Sequence, residues 1–213
     1  MRRIYSLIGV SLLFASLGAA TDWSTMEGFV GYNFVHFNPN SNYVPSFNAN
    51  GGSGQFVYNF TPWIGAAVDI GAVNKGVLNQ YPINTTVMDF VGGPRFTFHN
   101  HSRFLPFAQV LFGGAYATTS APIAIEPNGV VTFPPGVFLN PNQTLGARIT
   151  ASNTGFAMLA GGGLDIKISK HVAFRPIGVD YYLTRIPSFL TGNTSNRNNF
   201  RYSAGVNFLF GAK

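Results

Sequence analysis

The stretch FRYSAGVNFLFGAK, residues 200–213, alternates strictly between two kinds of side chain. Phe200, Tyr202, Ala204, Val206, Phe208 and Phe210 fall on one side, and Arg201, Ser203, Gly205, Asn207 and Leu209 on the other. A period of two is that of a β-strand, and here one face is aromatic while the charge sits opposite. The same scheme sets Gly54, Phe56, Tyr58 and Phe60 against Ser53, Gln55, Val57 and Asn59. No internal run reaches the roughly 18 consecutive apolar residues of a membrane helix. Only 9% of the chain is Asp, Glu, Lys or Arg, against about 25% in ordinary soluble domains. That is too little charge to cover a water-facing surface, so the aromatic faces are expected to meet lipid. Lipid cannot satisfy a free strand edge, and such a sheet has to close on itself.

Residues 1–20 have a basic start at Arg2 and Arg3, an apolar centre and a small-residue end at Gly18, Ala19 and Ala20. This is the layout of a cleaved secretory signal, leaving 21–213 as the barrel domain. With no cysteine anywhere, disulfides and lipoprotein acylation are excluded. Eight strands are expected, at 27–37, 53–60, 64–74, 86–98, 104–117, 154–168, 172–184 and 200–210. Long polar connections at 38–52, 75–85, 118–153 and 185–199 alternate with short turns at 61–63, 99–103 and 169–171. Long loops on one rim and short turns on the other predict an all-β, eight-stranded antiparallel up-and-down transmembrane β-barrel of a bacterial outer membrane. An even strand number puts both termini on the periplasmic, short-turn side.

The segments GGGLDIKISKHVAFRPIGVDYYLTRI (161–186) and NNFRYSAGVNFLFG (198–211) resemble the closing strands of the small outer-membrane β-barrel family related to the transmembrane domain of outer membrane protein A. The resemblance implies the fold and the location. The chain ends shortly after Phe210, so the peptidoglycan-binding domain of outer membrane protein A, and with it cell-wall tethering, is not carried over. A last strand closing on Phe210 is similar to the signal read by the barrel-assembly machinery, although 211–213 run past the usual end. The aromatic residues Phe200, Tyr202, Phe208 and Phe210 are expected in the two interfacial girdles.

Charges inside strands are costly on a lipid face, so Glu27, Asp69, Asp89, Arg95, Asp165, Lys167, Arg175 and Arg201 are expected to form a lumenal network. Counting across the turn 169–171 places Asp165 opposite Arg175, and similar counts place Asp69 opposite Gln55 and Gly93 opposite Gln109. Asp89 and Arg95 share one face. Asp180 has the wrong parity for Arg175 and reaches the lumen only if Pro176 marks a bulge that resets the face; otherwise it sits at a rim.

Other motifs carry little. Gly161-Gly162-Gly163 lies in a strand and opens no helix, which excludes a phosphate-cradling loop; glycine there suits curvature and close packing. His36, His99, His101 and His171 are too scattered for a metal site, no cofactor is expected, and the thinly spread cations do not suit nucleic acid. His36 lies near Asn38 and Ser41 at the outer rim with no acid to orient it, so an enzyme is not expected. The Pro-rich 118–153 segment reads as an extended hairpin, a lid or a contact for an extracellular partner. The expected role is therefore a monomeric structural or surface-interaction barrel, with a narrow channel for ions or small apolar solutes as the alternative.

Overall fold

A computed structural model describes residues 23–39, 46–76, 83–99, 102–125, 131–132, 144–187, 194 and 196–211. The expected signal at 1–20 and most of the Pro-rich middle of 118–153 lie outside these residues. Eight long strands are present: β1 Met26–Phe37, β2 Phe47–Asn59, β3 Ile64–Lys75, β4 Asn84–Thr97, β5 Phe104–Ile125, β6 Thr144–Lys167, β7 Val172–Arg185 and β8 Arg197–Phe210. Each pairs antiparallel with its neighbours in sequence, and β1 pairs β8 from Met26↔Phe210 to His36↔Phe200, so the sheet closes. A two-residue strand, Val131–Thr132, adds to the far end of β5.

The alternation is fulfilled strand by strand. On β3, Ile64, Ala66, Val68 and Ile70 are exposed, while Gly65, Ala67, Asp69 and Gly71 are buried. On β8 the exposed side carries Phe200, Phe208 and Phe210 and the buried side Arg201, Ser203 and Asn207. From Gly28 the register runs through Phe56, Val68, Gly92, Phe112, Met158, Leu183 and Asn198. Asn198 lies two residues before Phe200, the partner of His36, so the circuit closes level with position 38 and not 28, a stagger of ten residues. A stagger of this kind tilts the strands and sets how wide an eight-stranded lumen can be.

The three expected registers fare differently. Gln55 faces Asp69. Ile166↔Phe174 and Lys167↔Ala173 lead the ladder towards Asp165 and Arg175, although it shifts just beyond. The fourth hairpin differs by two residues: Gln109 lies opposite Arg95, not Gly93. Its β4 end pairs Thr97 with Phe107, and Phe98 N–H donates to Pro106 O at 3.0 Å, which moves the turn two residues along without changing any facing. At Pro176 the register slips on both sides, between Leu164 and Ile166 of β6 and between Arg175 and Gly178 in the pairing to β8. Proline has no N–H to give either ladder, and the extra residue returns Gly178, Asp180 and Tyr182 to the buried face. The Tyr202 hydroxyl donates to the Pro176 carbonyl at 2.6 Å, satisfying the oxygen that the bulge frees.

Three strands, β2, β5 and β6, run six residues or more further towards the long loops than expected. Residues 47–52 look turn-like as FNANGG, yet they pair with Tyr32 to Phe37 as the upper part of β2. The 118–153 segment is, at both ends, strand: β5 and β6 continue pairing from Thr118↔Ser152 to Ile125↔Thr144. Since β4 stops at Asn84↔Ser120, this hairpin stands five residues, about 17 Å, beyond its neighbour at roughly 3.3 Å per residue.

Candidate functional site

The inward-facing side chains form two ionic clusters stacked inside the barrel. Nearer the short turns, the Arg175 guanidinium forks onto Asp165, with Nε to Oδ1 at 2.6 Å and Nη2 to Oδ2 at 3.0 Å. Arg95 Nη2 donates to the same Oδ2 at 3.1 Å and lies 3.5 Å from Glu27 Oε2. Asn207 donates to both carboxylates, at 2.9 Å to Glu27 and 3.0 Å to Asp165. The Phe107 ring meets both guanidiniums, 3.9 Å from Arg95 and 4.3 Å from Arg175, and Phe29 meets Arg175 at 4.0 Å. Two like charges are thus held close by a shared carboxylate and by ring faces whose quadrupole attracts cations.

The second cluster is centred on Arg201. Its Nη1 and Nη2 donate to the two oxygens of Asp69 at 2.8 and 3.2 Å, and its Nε to Asp180 Oδ2 at 3.3 Å. Asp89 Oδ2 lies 3.6 Å from Nη1, and Tyr182 donates to Asp89 Oδ1 at 3.5 Å. Two glutamines join the clusters: Gln55 accepts from Arg95 and donates to Asp69 and to Gln109, and Gln109 donates to Asp180 at 3.1 Å. Gly161 faces Asp180 across the β6–β7 ladder. A Cβ there would collide with Val179 O and approach Asp180 Oδ1, so glycine makes the space that this carboxylate occupies.

Towards the long loops the lining changes character. Val35, Phe37, Ala49, Val73, Val87, Ala115, Ala117, Ala157, Tyr182 and Ile186 are all buried and belong to one apolar cluster. Phe37 stacks on Phe47 with centroids 5.2 Å apart and meets Tyr182 at 6.1 Å. The charged groups therefore lie in the lower and middle levels of the lumen, and the upper level is apolar except for neutral side chains such as Asn33, Thr85, Thr184 and Asn199.

Of the residues expected in the network, Glu27, Asp69, Asp89, Arg95, Asp165, Arg175 and Arg201 are brought together and buried. Lys167 is not. It is half-buried at the end of β6, and its backbone N–H, not its ammonium, is engaged, donating to Arg103 O at 2.7 Å. Asp180 belongs in its place. The amides Gln55, Gln109, Asn59 and Asn207 also join it; their inward parity was read, and Gln55 was set opposite Asp69, but none was expected in the network. Asp89 and Arg95 share a face without touching; Asp89 turns to Arg201 and Arg95 to Asp165. Of the girdle residues, Phe200, Phe208 and Phe210 are exposed and Tyr202 half-buried.

One further grouping lies under the lower cluster. His99 Nδ1 is 2.7 Å from Pro62 O and its Nε2 is 3.1 Å from Ser24 Oγ and 3.4 Å from Glu27 Oε1. Nδ1 donates to the carbonyl, and the Ser24 hydroxyl, beside Nε2, donates to Glu27 Oε1 at 3.4 Å. Serine and acid share one ring nitrogen, which is not the relay in which an acid orients the far nitrogen. Ser24 is buried as well, and the group serves to close the lower end.

A closed eight-stranded antiparallel barrel with an aromatic exterior and an ionic interior is the fold of the small outer-membrane β-barrels. Solved structures bear this out. The attachment invasion locus protein Ail of Yersinia pestis is 12% identical, with 88% of this chain and 99% of that chain covered and a TM-score of 0.56. Neisserial surface protein A (NspA) is 13% identical, with coverage of 88% and 98% and a TM-score of 0.56. Ail in complex with the heparin analogue sucrose octasulfate gives 14% identity, coverage of 87% and 97% and a TM-score of 0.53. At such identities the likeness is one of fold. No protein-family model and no curated protein matches the chain.

Proposed function

We propose that the mature protein is a monomeric integral barrel of the outer membrane, non-catalytic, with a plugged lumen and a surface-interaction role. The observation that carries this is the inverted distribution of polarity. Large apolar side chains such as Val30, Phe56, Ile70, Phe90, Phe112 and Phe208 are exposed around the whole wall, while five carboxylates and three guanidiniums are buried within. Water outside would leave that wall unsatisfied, whereas lipid makes it the favourable face. On this reading residues 1–20 are the export signal, the short turns and both termini face the periplasm, and the barrel-assembly machinery inserts the chain.

The β5–β6 hairpin rising beyond the rim is the element suited to an extracellular partner. Ail, of the same fold, has been solved with a heparin analogue, which supports a ligand-contacting outer end here. The channel alternative is disfavoured by the packed interior, in which the ionic clusters and the apolar side chains around and above them are buried. Purified barrel in a planar bilayer is expected to pass no current, or small unsteady openings; large stable conductance would overturn the plugged reading.

A further inference from the structure

Every described acidic side chain, Glu27, Asp69, Asp89, Asp165 and Asp180, is buried in the lumen. The exposed surface of the described residues therefore carries cations alone. Four basic residues gather at one corner of the short-turn rim. Arg103 ends the β4–β5 turn, and Lys167, Lys170 and His171 lie at and in the β6–β7 turn. The Lys167 N–H to Arg103 O bond joins the two turns directly, and Ile168 N–H to Val172 O, at 2.9 Å, fixes the second. Among the described residues none of the four has a carboxylate within ion-pairing distance. The remaining turn, Thr61-Pro62-Trp63, has no charge, so the basic corner occupies one side of the rim.

Large apolar side chains stand beside these cations. Phe104, next to Arg103, is 54% exposed, and Ile168, next to Lys167, is 71% exposed. A soluble anion would use the cations and leave both apolar groups in water. A phospholipid uses both, its phosphate against the basic groups and its chains along the wall. We infer that this corner binds the headgroup of an anionic phospholipid in the leaflet at the short-turn end, with Arg103 and Lys170 as the principal phosphate contacts and Phe104 and Ile168 against the chains. This rests on the membrane reading above.

The test reconstitutes the full barrel in phosphatidylcholine vesicles and compares spin-labelled phosphatidylglycerol with spin-labelled phosphatidylcholine at its perimeter. A basic residue near an anionic headgroup is worth roughly a fivefold preference, so the native barrel should select phosphatidylglycerol by about that factor, less at high salt. Arg103→Gln with Lys170→Gln should abolish the preference, and Lys75→Gln with Arg185→Gln, at the other rim, should leave it. Equal retention of the two lipids by the native barrel, or an unaltered preference in the first double variant, would refute the inference. Displacement by millimolar inorganic phosphate would refute it too, marking a free-anion site. Failure to float with the vesicles would sink the membrane reading instead, which keeps the two failures apart.

Discussion

Removing Asp165 should be worse than removing Arg175, and removing both should cost no more than removing Asp165 alone. Among the described residues, Asp165→Ala strips the only carboxylate within ion-pairing distance of Arg175 and takes one of two from Arg95, leaving two buried guanidiniums around the Phe107 ring. Arg175→Ala leaves Asp165 still bonded to Arg95 and Asn207. Breaking a buried pair costs about 3–5 kcal/mol, so we assign roughly 5 kcal/mol to Asp165→Ala and roughly 3 kcal/mol to Arg175→Ala. The double variant retains one unpaired charge fewer than Asp165→Ala and should lose about 5 kcal/mol rather than the sum of about 8, a coupling near 3 kcal/mol. Arg175→Met, which keeps a long apolar side chain beside Phe29 and Phe107, should lose less than Arg175→Ala. Urea titration in lipid vesicles, read by the gel mobility of unheated folded barrel, measures each loss. Additive losses, or an Arg175 variant worse than the Asp165 variant, would refute the shared-carboxylate arrangement.

The protein has no cysteine, so single probes report facing cleanly. Cysteines at Phe56, Tyr58, Val206 and Phe208 should react only with lipid-soluble reagents, those at Ser203 and Asn207 should be shielded from lipid, and aqueous labelling of Val206 in intact membranes would reject the orientation. Asp89 accepts one long bond from Tyr182 and sits at the edge of Arg201's reach, so Asp89→Asn should cost about 1 kcal/mol or less. Asp69→Asn, which breaks the two-point contact to Arg201, should cost about 3 kcal/mol by the same urea titration; equal losses would contradict the geometry. Gly161→Ala should cost about 1–3 kcal/mol as an overpacking change, seen as a lower urea midpoint with unchanged lipid labelling.

The wall was legible because lipid imposes one rule on every outward position, and the short turns let register be counted from one strand to the next. Asp165 with Arg175, and Gln55 with Asp69, followed from that counting. Asp180 needed the Pro176 bulge, which a missing N–H made visible. The length of β5 and β6 was not legible, because above the membrane no lipid enforces alternation and residues such as Thr118, Thr119 and Ser120 read as loop. Nor could the pairings across the lumen be counted. Arg201 of β8 reaches Asp69 of β3, and Arg95 of β4 reaches Asp165 of β6; neither pair sits on neighbouring strands. These meetings depend on the stagger, on the space left at Gly161 and on side-chain length, none of which a single strand contains. Lys167 was misassigned because parity marks a side of the sheet and not a level, and the turn end offers its ammonium a route to water.

The contacts made by β8 have a consequence for the order of assembly. Asn207 holds Glu27 of β1 and Asp165 of β6, while Arg201 holds Asp69 of β3 and Asp180 of β7. Until the last strand zips to the first, Asp69 and Asp180 lack Arg201, and Glu27 and Asp165 lack the amide that bridges them, so none of the four is fully satisfied out of water. An open, half-wound sheet must therefore stay hydrated inside, and drying, charge pairing and seam closure occur as one cooperative event. A nearly finished barrel gains little from being nearly finished, so intermediates with an unsealed β1–β8 edge should be short-lived.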